Sequence, residues 1–412
     1  MIIFSRKPSQ VIVYALEVAD INMLNFGFSS GRLLQLFRDG QPHTKAEMAE
    51  LTGLARSTIS LRLDPLIELG LITPAKSATS TGGRPSARLL LNEEAFVVAG
   101  VDFGATHAVA SLADLSGKIL VSIDTKRQIS DGPEVCLRWM IEEIKHLLSG
   151  LGLSEDRLLA IGIGVPGPVE HETGMPANPP IMPGWDAFDI PGRVNQDLAA
   201  KVLVDNDVNV MAVGERHLNY PDVNHLIFLK AATGIGSGII SDGHLQRGSQ
   251  GTAGDIGHVR VSRGDSIACR CGNYGCLEAV AGAPAVIKNI NEAGLPIRNM
   301  SDLIDATKRS KVEAIQAVRQ AGRDIGEVLS TCVSLMNPSV IVVGGSMASA
   351  GEHLIAGVRE AVYSRSMPLA SESLSIVQSK AGKEVGIIGA SVMAIEYVLD
   401  AETIDQMFSN SL

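Results

Sequence analysis

The sequence predicts two folds in series: a small α+β unit near the N-terminus and, behind it, a larger α/β unit built as two lobes. Three observations predict this. At 412 residues the chain is too long for one hydrophobic core and calls for two or three domains. Apolar residues at helical spacing, punctuated by stop signals, give way at Val97 to short apolar strands. Along the second part, three strands each run into a glycine-rich turn, at 102–106, 233–236 and 344–345.

Composition narrows the class. Hydrophobic residues make up 45% and charged residues 19%, a globular balance and not a disordered one. The net charge of -10 is unevenly placed: residues 1–95 carry a net +1, the remainder -11. Any binding of nucleic acid therefore belongs to the N-terminal part, because the acidic body repels phosphate. Three of the five cysteines fall at Cys269, Cys271 and Cys276, while Cys136 and Cys332 stand apart in apolar surroundings. That distribution reads as one metal site and two buried thiols, not as a disulfide framework. No apolar run reaches 18 residues and no signal peptide is recognised, so a cytoplasmic protein with no membrane contact is expected.

Residues 1–29 form an N-terminal arm to which no role is assigned. From 30 to 92 the pattern is three helices and a hairpin. The first helix runs over Gly31–Arg38, with Leu33, Leu34 and Phe37 inward, and stops at Asp39-Gly40. The second starts after Thr44, whose partner Glu47 three places on completes a capping box, and turns Met48 and Leu51 inward. After Gly53 the third spans about Arg56–Leu69, with Ile59, Leu63 and Leu66 on one face. Two helices joined by a tight glycine turn make a helix-turn-helix. The outer face of the third offers Arg56, Ser57, Thr58, Ser60 and Arg62, short hydroxyls and guanidinium forks suited to base edges and phosphates in a DNA major groove. Leu71-Ile72-Thr73 and Ala87–Leu91 are the strands of a hairpin wing, and Arg84 at its glycine-rich tip suits a minor groove or phosphate backbone. The unit is thus a winged helix-turn-helix.

The larger domain is expected over 97–412. Its first lobe covers about 97–205 plus the C-terminal helix, and its second about 206–385. Val97–Asp102 is an apolar strand that turns at Phe103–Thr106 and returns as His107–Ala113. In such a turn Gly104 lets the backbone approach phosphate oxygens, Thr106 donates a hydroxyl, and Asp102 faces a metal-bound phosphate. Taken alone it is equally a plain hairpin. The second turn (Thr233, Gly234, Gly236) and the third (Gly344, Gly345) repeat the design. Three such loops in this order resemble an actin/hexokinase-like ATPase fold, with two duplicated α/β lobes around a cleft.

The most specific segment is Cys269-Arg-Cys271-Gly272-Asn-Tyr-Gly275-Cys276-Leu-Glu278, preceded by Gly254-Asp255-Ile256-Gly257-His258. Three thiolates and the His258 imidazole make a closed tetrahedral Cys3His set, which suits structural zinc because no ligand position is left open. The string resembles the ROK family of repressors, open reading frames and kinases, over about residues 30–400. That resemblance implies a sugar site at Asp255, His258 and Glu278. It also implies, at the Asp205-Asn206-Asp207 strand end, Asn206 as a sugar ligand and Asp207 as a sugar ligand that is the general base if the protein is a kinase. Pro183-Gly184-Trp185 resembles the family loop, but Ile181 stands where the family has a sugar-binding Asn. Asp255 replaces Glu, and Ala232 replaces a glycine of the second loop. The resulting expectation is a sugar- or sugar-phosphate-responsive repressor acting as a homodimer or homotetramer. An ATP- and Mg2+-dependent sugar kinase carrying a DNA-binding domain is the alternative.

Overall fold

The computed structural model describes residues 29–75 and 87–409. They fall into two compact units. One holds the described residues up to Ala95 together with those from Tyr397 onward, and the other spans Phe96–Glu396.

The small unit follows the sequence pattern closely. Helix α1 (Ser30–Gln35) is capped by Ser29 and buries Leu33 and Leu34. A two-residue strand β1 (His43–Thr44), not anticipated, precedes α2 (Lys45–Thr52). The capping box forms as expected: the Glu47 amide donates to Thr44 Oγ1 at 3.1 Å, and the Thr44 amide to Glu47 Oε2 at 2.7 Å. Gly53 takes a left-handed φ of 71° and turns the chain into α3 (Arg56–Glu68), which buries Ile59, Leu63 and Leu66. Leu51, expected inward, is 48% exposed. The helix is only eight residues long, so its buried face narrows to Met48 before the Gly53 turn. Strands β2 (Ile72–Pro74) and β3 (Arg88–Leu91) pair antiparallel, and β1 joins the other side of β3. The tip of this hairpin, with Arg84, lies outside the described residues.

In the larger unit β4 (Val97–Phe103), β5 (Ala108–Asp114) and β6 (Ile119–Thr125) form an antiparallel meander. Helix α4 (Pro133–Gly150) buries Cys136, Leu137, Met140 and Ile144 against it. Strand β7 (Leu158–Val165) then pairs parallel with β4. A β8 (Val169–Glu170) and β9 (Met175–Pro176) ribbon and the short helix α5 (Ile190–Val194) lead to β10 (Lys201–Asn206), parallel to β7. The next lobe starts with α6 (Asp207–Asn219). Its strands β11 (Leu226–Ala231), β12 (Ile235–Ser241) and β13 (His244–Gln246) are again an antiparallel meander. Helices α7 (Leu277–Ala281), α8 (Ala283–Glu292), α9 (Met300–Lys308) and α10 (Val312–Met336) follow. Then β14 (Val340–Gly344), α11 (Glu352–Arg365), α12 (Pro368–Ser371) and β15 (Ser375–Gln378) close the sheet, β14 and β15 pairing parallel.

The two sheets have the same topology. In each, the first strand of the meander is flanked by its second strand on one side and by the parallel fourth and fifth strands on the other. The duplication expected from three spaced glycine turns is thus present as two copies of one sheet plan.

Helix α13 (Val385–Val398) packs Ala390 and Met393 on Val210 of α6, and Ile388 and Val392 on Val213. The last helix, α14 (Ala401–Ser409), belongs with the small unit, whereas the sequence reading carries the larger domain through to residue 412. There the Gly31 amide donates to Asp405 Oδ1 at 2.9 Å, and Gln35 Nε2 to the Leu399 carbonyl at 2.6 Å. Both bonds join residues more than 360 positions apart, a pairing no local pattern encodes. Among the described residues no helix is long and apolar enough to cross a membrane.

Candidate functional site

The larger unit holds a cavity of about 1370 Å³. It exceeds the roughly 300–1,000 Å³ of a drug-sized ligand pocket, leaving room for a sugar beside a second ligand. The three glycine turns expected to bind phosphate all reach it: Asp102, Gly104 and Thr106; Thr233, Gly234 and Gly236; Gly344 and Gly345. So do the residues assigned to sugar, Asn206, Asp207, Asp255, His258 and Glu278. These sites lie up to 243 positions apart in sequence, and the duplicated sheets bring them to one cleft because each turn ends a central strand.

The centre of the cleft holds a group the sequence reading missed. Lys230, near the end of β11, pairs with Gly236 of β12 on one side and Gly344 of β14 on the other. Its ammonium donates to Asp207 Oδ2. The Lys230 side chain is 25% exposed and that of Asp207 7%, so this is a largely buried ion pair. Burial alone would lower the Lys230 pKa, but the Asp207 charge and hydrogen bond, with Asp102, carry it above its ordinary value. A lysine in the otherwise apolar run Leu226–Ala231 was the available signal.

Asp102 is buried beside this pair. Burial, and then the Asp207 charge, push its carboxyl up to about 7, with Lys230 opposing. Between pH 4 and 7 the folded chain therefore keeps a proton that the unfolded chain releases. Stability falls as pH rises through that window and levels off above it. The charged form costs about 4 kcal/mol. Asp102→Asn is expected to raise the melting temperature at pH 8, with the gain shrinking toward pH 5. Thermal melts at several pH values check this, and a gain independent of pH would refute it. His107 folds over the first turn: a Cβ on Gly104 would lie 2.4 Å from its ring. Burial, followed by Lys230 and Lys383, lowers its pKa and keeps it neutral near pH 7.

Asn206 is committed twice. Its Oδ1 accepts from the Val208 amide at 3.0 Å, capping α6, and its Nδ2 donates to the Gly167 carbonyl at 2.9 Å. Asp205 behind it accepts from Arg247 Nε at 2.6 Å and Asn209 Nδ2 at 2.8 Å, which fixes the strand-to-helix corner. Ile181 does line the cleft, while the neighbouring Asn178 is exposed, its backbone N–H donating to Asp186 Oδ1 at 2.7 Å. An apolar side chain thus stands at the wall where the resemblance implies an amide. Trp185 is fully buried, its Nε1 donating to the Ile129 carbonyl at 3.0 Å, so it anchors the loop and does not face ligand.

The candidate metal ligands converge. The donor atoms of His258, Cys269, Cys271 and Cys276 all lie within 4.8 Å of one another. His258 Nδ1 is 3.7 Å from Cys269 Sγ, and the Cys271 and Cys276 sulfurs are 3.6 Å apart. A tetrahedron with zinc–sulfur bonds of about 2.3 Å has edges of about 3.8 Å, so this donor set fits zinc. With Nδ1 turned to the thiols, the other ring nitrogen of His258 is left for the cleft. Two residues beyond Cys276, Glu278 Oε2 accepts from the Ile235 amide at 3.3 Å. A Cβ on Gly234 would lie 2.8 Å from that oxygen, so glycine is needed for the contact. The knot is thereby tied to the second glycine turn.

In the small unit, Arg56 and Ser57 are exposed on α3, while Thr58, Ser60 and Arg62 are half-buried. Lys45 Nζ reaches Ser60 Oγ at 3.2 Å and Asp64 Oδ1 at 2.9 Å, which partly occupies Ser60. Leu61, absent from the sequence-based set, is 72% exposed on the same helix. Arg88 pairs with Glu47 at 3.0 Å and is held within the unit.

The ROK family model matches residues 98–397. The chain is 28% identical over 370 residues to the xylose repressor of Bacillus spizizenii, covering 89% of this chain and 95% of that one. It is 28% identical over 314 residues to the glucokinase of Thermotoga maritima, covering 73% and 97%. Among solved structures, a ROK family transcriptional regulator homologous to the E. coli MLC protein superposes with a TM-score of 0.80 at 24% identity, covering 92% of this chain and 97% of that one.

Proposed function

The chain belongs to the ROK family, and on that footing we propose that it is a transcriptional repressor that binds operator DNA and answers to a sugar or sugar phosphate. The N-terminal unit acts as a winged helix-turn-helix, with Arg56, Ser57, Thr58, Ser60 and Arg62 on the reading helix and Arg84 on the wing. The repressor relative aligns over a larger share of the chain than the glucokinase does, which supports this reading.

The observation that carries the choice of repressor over kinase is the Lys230–Asp207 ion pair. A general base needs a free carboxylate oxygen toward the attacking hydroxyl. Here one Asp207 oxygen is held by the Lys230 ammonium, and the other is left to accept from a sugar hydroxyl. We read Asp207 as an acceptor for a sugar hydroxyl, its charge already shared with the Lys230 ammonium. Asn206, Asp255, His258 and Glu278 surround the same sugar. Asp102, Gly104, Thr106, Thr233, Gly234, Gly236, Gly344 and Gly345 form the phosphate-binding turns. They would hold a nucleotide with Mg2+, or the phosphate of a sugar phosphate. Zinc held by His258, Cys269, Cys271 and Cys276 supplies rigidity and no chemistry. Sugar binds one arrangement of the two lobes more tightly than the other. In a homodimer this changes the spacing of the two reading heads against their half-sites.

Gel shifts on a duplex enriched from a random library by the full-length chain, with and without hexoses, pentoses, amino sugars and their monophosphates, test this. Xylose heads the panel. The expected result is release by one sugar class, with no ADP formed from ATP. Operator binding unmoved by the whole panel overturns the control mechanism. ADP release that disappears in Asp207→Asn overturns the repressor-not-kinase reading.

A further inference from the structure

The buried face of α3 is set by Ile59, Leu63 and Leu66. At 100° per residue the opposite line is Ser57, Leu61 and Glu68, with Asp64 beside it. Leu61 is the outermost large side chain of that line and is 72% exposed. A leucine on a polar surface needs no explanation when it stands alone among loops. This one occupies the middle of the face assigned to base edges.

The charges of the helix decide which half meets DNA. Arg56 heads the helix and Arg62 sits at its midpoint, while Asp64 and Glu68 lie in the C-terminal half. Glu68 keeps the C-terminal end off the phosphates, Asp64 being paired with Lys45, and the positive end of the helix dipole favours the N-terminal end. Arg56, Ser57 and Leu61 are then the side chains that enter the groove. In the major groove the base edges present hydrogen-bonding groups and one apolar group, the 5-methyl of thymine. The occupant that fits an isobutyl side chain there is that methyl.

We propose that Leu61 reads a thymine 5-methyl group in the operator, as a specificity residue beside the polar contacts of Arg56 and Ser57. This rests on the reading of α3 as the DNA-reading helix. The test uses the full-length chain and a duplex that it enriches from a random library, in which each thymidine is replaced in turn by deoxyuridine. Wild-type affinity is expected to fall about four-fold at one position or one symmetry-related pair, the effect of one methyl-sized group losing its apolar contact. Leu61→Ala is expected to lose that factor once per reading head, about sixteen-fold for a dimer on the unmodified duplex, and to ignore the deoxyuridine. Leu61→Met, which keeps an apolar tip, is expected to retain the sensitivity. The exposed position removes no core packing, so both variants fold. A chain that enriches a duplex but ignores every deoxyuridine, or a Leu61→Ala variant that stays sensitive, overturns this inference alone. A chain that enriches no duplex overturns the DNA-reading premise and this inference with it.

Discussion

Cys271→Ser is expected to strip the metal from the knot and abolish the sugar response, while DNA binding stays at the wild-type level. Cys271 is exposed, so its replacement opens no cavity, unlike loss of the buried Cys276. The change removes one of the three thiolates in a four-ligand set, and a serine hydroxyl is a poor substitute for it at neutral pH. Structural zinc is worth roughly 10–16 kcal/mol in small peptide sites, so a damaged ligand set is felt strongly. The loss then travels along a short path. Without the knot Glu278 is no longer fixed two residues beyond a ligand, and the Ile235 amide and the Gly234 turn lose their support. The small unit has its own core of Leu33, Leu34, Phe37, Met48, Ile59, Leu63 and Leu66 and does not share that path. Elemental analysis and gel shifts with and without sugar read the two halves separately. A variant that still holds one metal per chain would count against these ligands.

Lys230→Met should have the second large effect. It leaves Asp207 and Asp102 facing each other in a buried site with no cation between them. Removing one partner of a buried ion pair typically destabilises by about 3–5 kcal/mol, because the remaining charge is uncompensated. Asp207→Asn on the Lys230→Met background should recover most of that loss, since the orphaned charge is then gone. Urea unfolding of the two single variants and the double variant measures the coupling. Additive losses would mean that the pair contributes packing and not charge compensation. The same pair bears on function: it holds the carboxylate that a kinase would use as base, and it uses residues 23 positions apart to do so.

The sequence carried much of this protein in short-range signals. The Thr44/Glu47 capping box, the Gly53 turn and the Ile59/Leu63/Leu66 stripe are each fixed by hydrogen bonds or side-chain spacing within a few residues. They read directly as helices with the right caps. The Cys-x-Cys-x4-Cys run marks a donor set that could hold a metal, because three of its four members share one loop. The three glycine turns pointed to a duplicated α/β plan, and the matching order of the two sheets bears this out. Less was legible where one residue type suits two roles. Asn206 is both helix cap and cleft wall, and nothing in its neighbours separates the two.

What the chain determined by itself was therefore local: caps, turns, the apolar stripe of each helix and the donor set of the knot. These depend on backbone φ and on contacts a few positions away, which a linear pattern records. Tertiary structure alone decided that Lys230 meets Asp207, that Glu278 braces a turn 43 positions earlier, and that α14 closes on α1 from the far end of the chain. Those contacts arise from the way sheets and helices pack, and burial then sets their electrostatics. Neither packing nor desolvation is written in the spacing of residues along the chain.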